Sequence, residues 1–176
     1  FEQIKKKRSF LCVGLDTDIK KLPEHIKQSN NPLFEFNKKI VAATASYAVA
    51  FKPNLAFYAA EGENGLMQLA ETVKYIRSNY PDVVVIADAK RGDIGNTSQL
   101  YAEAFFNTLD FDAITLSPYM GKDTVEPFFS YADRWVILLA LTSNASAADF
   151  QMIENKENGL KLYEQVLAAS KEWGTI

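Results

Sequence analysis

Two acids and two bases stand within six residues at the end of an apolar run: Asp88, Lys90, Arg91 and Asp93 in VVVIADAKRGDIGNT, from Val83 to Thr97. Charges beside a core are costly unless each finds a partner, so this D-x-K-x-x-D element needs either an ion-pairing or a chemical role. Side chains alternate across a strand, which puts Asp88 and Lys90 on one face together with Val84 and Ile86. Asp16 in FLCVGLD and Lys52 in AVAFKPN close two earlier apolar runs and are expected to face inward at the same end. An isolated D-x-K reads as an ordinary ion pair. Asp16, Lys52, Asp88, Lys90 and Asp93 together make an alternating set, in which each opposite charge favours its neighbour's ionised form. Such an array suits a reaction in which a fixed cation stands beside negative charge developing on carbon. Gly92 is expected to allow a tight turn, with Asp93 at the junction of loop and helix and Asn96 or Thr97 capping that helix.

Strands are expected over 10–16, 48–54, 83–90, 113–118 and 135–142, and helices over 34–46, 65–79, 96–109, 121–132 and 156–173. Near-continuous apolar strands alternating with helices predict an α/β fold with a parallel sheet. Every strand carries polar residues at its C-terminal end: Asp16, Lys52, Asp88 with Lys90, Ser117, and Ser143 just after the fifth. That distribution favours a (β/α)8 TIM barrel, whose chemistry sits at that face. A dinucleotide-binding sheet would instead want a glycine fingerprint after its first strand, where GLDTD offers only Gly14. Barrels typically take about 250 residues. Residues 1–176 are therefore expected to hold about the first five βα units of a single barrel domain, cut off before the sixth strand.

Composition narrows the classes. The chain is 48% hydrophobic and 23% charged with a net charge of -3, a globular balance that gives no reason to expect nucleic acid or an anionic membrane as partner. The basic run Lys5, Lys6, Lys7 and Arg8 reads as a solvated helix face, and no apolar stretch is long enough to span a bilayer or to form a signal peptide's core. Cys12, the single cysteine, cannot form an internal disulfide and is expected to behave as a small buried hydrophobe in a reducing cytoplasm. In that compartment the N-x-S matches at Asn96 and Asn144 are chance. His25, the only histidine, lies among polar residues with no second ligand for zinc, and PFFSYADRW reads as packing rather than a stacking platform. Arg91 faces either solvent or a partner.

DAKRGDIGNT, with FKPNLAFY upstream and TLSPYMG and TSNAS downstream, resembles the orotidine 5'-phosphate decarboxylase family in its longer-chain bacterial subgroup, along the whole chain. The resemblance implies cofactor-independent decarboxylation of orotidine 5'-monophosphate to uridine 5'-monophosphate, the last step of de novo pyrimidine nucleotide synthesis, by a cytoplasmic homodimer with shared active sites. It implies that Lys90 gives the proton to C6 of the pyrimidine as carbon dioxide leaves, and that Asp88 stands against the substrate carboxylate. Asp93 would reach into the partner's site and Thr97 would touch the ribose from the same side. Asp16 and Lys52 would bind the ribose hydroxyls and complete the charge network, and Ser143 would hydrogen-bond the pyrimidine. Neither a metal nor a cofactor is expected. The family takes the substrate phosphate from later strands, so a chain ending at Ile176 is expected to lack that grip and to turn over little by itself.

The chemistry follows from the groups. Loss of carbon dioxide from C6 leaves an sp2 carbanion that no ring carbonyl delocalises well, so stabilisation must be electrostatic, and an ammonium can both stabilise and protonate it. The nearest rival is a sugar-phosphate decarboxylase or hexulose-phosphate synthase of the same superfamily, which uses Mg2+ and a carboxylate from the second strand, where this chain has Lys52. A noncatalytic partner-binding fragment fits less well, because it leaves the charge set without a use.

Overall fold

Short runs of small and β-branched apolar residues build the strands, and the computed structural model describes residues 1–174. Five strands, β1 (Leu11–Gly14), β2 (Ala48–Lys52), β3 (Val84–Arg91), β4 (Ala113–Leu116) and β5 (Trp135–Leu138), form one sheet in chain order. β1 and β2 run parallel with Gly14 opposite Lys52, and β2 and β3 run parallel with Phe51 opposite Val85. Adjacent parallel strands need a crossover, which the intervening helices supply. The α/β reading of the first five units is thus the architecture observed. β1, β2, β4 and β5 end short of the expected C-termini, whereas β3 runs one residue further, to Arg91; Asp16 lies two residues beyond β1, in a loop.

The described chain divides into two compact units. The first comprises Phe1–Ala89 with Ala104–Ile114, and the second comprises Lys90–Glu103 with the chain from Thr115 onward.

In the first unit, α1 (Glu2–Lys7), α2 (Glu24–Lys27), α3 (Pro32–Thr44), α4 (Leu55–Ala59) and α5 (Gly62–Asn79) accompany β1 to β3. Leu69, Val73 and Ile76 recur at spacings of four and three on α5 and are buried, as a helix with one apolar stripe requires. On β3 the alternation is visible: Val85 and Ala87 are buried, whereas Val84 on the other face is 38% exposed. Arg77 ties the end of α5 to the segment before β4, with its Nη2 2.7 Å from Asp112 Oδ1, while Asp112 Oδ2 accepts the Val85 N–H at 2.7 Å. The basic run is less uniform than expected. Lys7 at the end of α1 donates to the carbonyls of Ala45 and Ala48 at 2.8 and 2.7 Å, tying α1 to the start of β2. Cys12 is exposed rather than buried, because β1 lies at the edge of the strand order and three of its four residues are exposed.

The expected helix over 96–109 is α6 (Gly95–Ala102) running into a π-helical stretch over Glu103–Thr108. Two consecutive aromatics in that stretch, Phe105 and Phe106, are both buried.

In the second unit, the expected helix over 121–132 is absent. The segment forms two 3-10 turns, Lys122–Thr124 and Glu126–Ser130, preceded by a third at Pro118–Met120, with breaks where Gly121 has φ 104° and where Pro127 removes an N–H donor. The expected helix over 156–173 is α7, Leu162–Ser170. PFFSYADRW packs only in part: Phe128 is buried, Phe129 and Trp135 are exposed, and the Tyr131 hydroxyl donates to Glu103 Oε2 at 3.0 Å. Among the described residues no helix is long and apolar enough to cross a membrane.

Candidate active site

The first unit brings together three of the residues expected to do chemistry. β2 ends in Lys52 and β3 carries Asp88 beside it, and Lys52 Nζ lies 2.8 Å from Asp88 Oδ2, with the two side chains 32% and 10% exposed. Backbone pairing fixes this meeting: Asp88 N–H donates to the Pro53 carbonyl at 3.0 Å and Asn54 bridges Asp88 in parallel register. Asn54 then starts α4, its Oδ1 accepting the Ala56 N–H at 3.1 Å. Asp16 follows β1 with its carboxylate over Gly14, whose register partner is Lys52.

Burial alone would lower the Lys52 pKa, but the Asp88 hydrogen bond and charge, together with the charge of Asp16, outweigh it and raise the ammonium above its usual 10.5. A group that binds its proton more tightly when folded adds stability below its unfolded pKa and loses that contribution as pH rises through the folded value. The stability difference between wild type and Lys52→Met is therefore expected to be constant from neutral pH to about pH 10 and to shrink above it, as urea unfolding at a series of pH values would record. A difference that grew with pH would contradict the pairing.

The second unit carries Lys90, Asp93, Thr97 and Ser143. Lys90 has φ 47°, a left-handed conformation rare outside glycine that costs of order 1–3 kcal/mol and tends to be kept at functional positions. Its N–H donates to Thr115 Oγ1 at 2.9 Å, which helps to hold the turn. Strand alternation therefore stops being a guide at Lys90, where the backbone leaves the extended region and the exposed side chain is aimed by this local turn.

Asp93 sits in the loop before α6 with Oδ1 accepting the Ile94 N–H at 2.8 Å, while its carbonyl accepts from Ser98 Oγ and Thr124 Oγ1 at 2.8 and 2.9 Å. Neither Asn96 nor Thr97 caps α6; Ile94 stands at the cap, no side chain bonds there, and Thr97 is half-buried within the helix. Gly92 is needed for space rather than for a turn: its backbone is not left-handed, but a Cβ there would lie 2.7 Å from the Ser117 carbonyl oxygen. Gly92→Ala must move β4 or the Asp93 loop, and is expected to cost about 1–3 kcal/mol in urea unfolding. Wild-type stability in that variant would contradict the close packing.

Ser143 is exposed in the loop after β5, between Asn144 and Thr142, whose N–H donates to Gln151 Oε1 at 2.8 Å and whose Oγ1 accepts from Gln151 Nε2 at 2.9 Å. Arg91 stacks its guanidinium over Tyr101, 5.3 Å from the ring centre, so it faces its own unit's helix α6.

The residues read as candidates did not include a buried polar set behind Asp16. Tyr58, Asn37, Thr17 and Thr72 are each at most 5% exposed and joined by hydrogen bonds. The signal was present in α3, where Asn37 interrupts the apolar stripe at four residues from both Leu33 and Val41. Among the described residues no group of three or more His, Cys, Asp or Glu gathers as metal ligands.

A family model described as "Orotidine 5'-phosphate decarboxylase / HUMPS family" matches residues 9–176. The orotidine 5'-phosphate decarboxylases of Parabacteroides distasonis and Phocaeicola vulgatus are each 60% identical over 173 residues, covering 98% of this chain and 61% and 63% of theirs. The chain thus spans about three fifths of the length of these curated relatives. Among solved structures, Leishmania donovani OMP decarboxylase superposes with a TM-score of 0.79 at 36% identity, over 94% of this chain and 62% of that one.

Proposed function

The chain belongs to the orotidine 5'-phosphate decarboxylase / HUMPS family, and on that premise we propose that it serves the decarboxylation of orotidine 5'-monophosphate to uridine 5'-monophosphate, closing pyrimidine nucleotide synthesis in the cytoplasm. The observation that carries this reading within the family is the Lys52–Asp88 pair at 2.8 Å. A metal-dependent sugar-phosphate reaction wants a second carboxylate at the end of β2, and an ammonium in van der Waals reach of Asp88 repels a divalent cation from that carboxylate. The 60% identity to relatives named orotidine 5'-phosphate decarboxylase supports the same choice.

The roles follow from chemistry. Lys90 presents the ammonium to C6: the C6–carboxylate bond breaks with its electron pair staying on carbon, carbon dioxide leaves, and the ammonium proton moves to C6. Asp88 stands against the departing carboxylate and Lys52 offsets the cost of burying that acid. Asp16 and Lys52 hold the ribose hydroxyls, Ser143 meets the pyrimidine, and Asp93 and Thr97 serve the site of a second copy in a homodimer. Ile94 and Leu100, 61% and 70% exposed and each three residues from Thr97, give that region an apolar surface suited to burial by another chain.

The full-length protein distinguishes the two family reactions when offered orotidine 5'-monophosphate in EDTA and, separately, a ketose 5-phosphate with formaldehyde and Mg2+. Turnover of the first alone is expected; turnover of the second alone would replace this reading with the synthase one.

A further inference from the structure

Asp16 is exposed, yet the residues on both sides of it are among the most buried in the first unit, Leu15 at 2% and Thr17 at 5%. Each flank is tied to the helical layer. The Tyr58 hydroxyl of α4 donates to the Leu15 carbonyl at 2.9 Å, and Thr17 Oγ1 donates to Asn37 Oδ1 of α3 at 2.6 Å. Asn37 joins the two anchors, since its Nδ2 donates to Tyr58 Oη at 2.9 Å and to Thr72 Oγ1 of α5 at 3.3 Å. The amide thus uses its oxygen and both hydrogens, and Thr72 passes its own hydroxyl hydrogen to the Gln68 carbonyl at 2.7 Å. Gln68 Oε1 in turn accepts the Leu33 and Phe34 N–H groups at the start of α3, at 2.8 and 3.1 Å. Burial pushes the Tyr58 phenol far above its usual range, so it remains a donor at any working pH.

A fully satisfied network of this kind has one low-energy arrangement, and it grips the backbone of the residue before, and the side chain of the residue after, a single exposed carboxylate. On the other side, Leu15 N–H donates to the Lys52 carbonyl at 3.1 Å, so the loop is also fixed to the strand that carries the Asp88 partner.

We propose that Tyr58, Asn37 and Thr17 are positioning residues for Asp16, setting its carboxylate for the ribose hydroxyls through the Leu15 carbonyl and the Thr17 side chain. The proposal rests on the ribose role assigned to Asp16 above. A double-mutant cycle on the full-length protein tests it, with the dissociation constant of uridine 5'-monophosphate as readout and Tyr58→Phe and Asp16→Ala as the two changes. Tyr58→Phe is expected to weaken binding about 10-fold in the wild-type background and less than about 2-fold once Asp16 is alanine, since a displaced group that is already gone cannot be lost again. Equal losses in both backgrounds would overturn the positioning role, because a purely structural defect acts whether or not Asp16 is present. If Tyr58→Phe does not fold, Thr17→Val in the same cycle decides by the same two results. Wild type that fails to bind the nucleotide would instead sink the function on which the proposal rests, an outcome separate from equal losses in a binding protein.

Discussion

Lys90→Ala in the full-length protein is expected to lower kcat/KM for orotidine 5'-monophosphate by at least about 10,000-fold, with little change in product affinity or in stability. The size comes from two losses at one atom: a proton donor, worth about 100- to 10,000-fold, and a fixed cation where carbanion charge develops, worth about 100- to 1,000-fold. Stability is expected to hold because Lys90 is exposed and its N–H bond to Thr115 Oγ1 is made by the backbone, which alanine keeps. Removing a side chain from a left-handed residue adds no new steric cost there. Initial rates, nucleotide binding and urea unfolding measured on the same preparation separate these effects. A variant within 10-fold of wild type would remove Lys90 from the chemistry.

Lys52→Met is the second large effect, and unlike the first it reaches stability as well as rate. Asp88, with a side chain only 10% exposed, loses its 2.8 Å partner and is left a poorly solvated carboxylate. Breaking a fully buried pair costs about 3–5 kcal/mol, and because the Lys52 side chain is 32% exposed the expected loss here is nearer about 2 kcal/mol. The rate is expected to fall about 1,000-fold, since on the proposed roles the variant loses the ribose contact assigned to Lys52 and changes the field around Asp88 together. Lys52→Met/Asp88→Asn, which removes the acid's charge as well, is expected to regain most of the stability and none of the rate. Recovery of both would mean that the pair is only structural.

The residues that the structure gathers in the first unit were legible because each stands at or just past the end of a recognisable apolar run. Asp16, Lys52 and Asp88 close AVAFK-like segments whose side-chain types leave little choice but a buried strand, and the structure brings all three into one unit. What failed to show was local backbone detail. In GKDTVEPFFS, Val125 and Phe128 are spaced as on a helix and both bury, but Gly121 and Pro127 break the segment into 3-10 turns, and steric preference overrides the period. The π-helical stretch over Glu103–Thr108 was hidden because its apolar residues fit the pattern of an ordinary helix, and the choice between α and π hydrogen bonding leaves no mark on that pattern. In the sequence Gly92 reads as a turn glycine, yet its need is the Ser117 carbonyl, a neighbour 25 positions away that no local pattern reveals. The apolar neighbours of Cys12 predict burial, whereas exposure depends on what lies across the strand. The Tyr58–Asn37–Thr17 network had a faint trace only, a polar residue on an apolar stripe, because its meaning depends on three separate helices meeting behind one loop.

The most direct test of a cofactor-free reaction led by Lys90 is the decarboxylation of orotidine 5'-monophosphate by the EDTA-treated full-length protein in D2O, followed by proton NMR of the pyrimidine C6 position. The predicted result is release of carbon dioxide with uridine 5'-monophosphate carrying a single deuterium at C6, at a rate unchanged by added Mg2+ and abolished in Lys90→Ala. No product, or product that forms only after Mg2+ is restored, would contradict it.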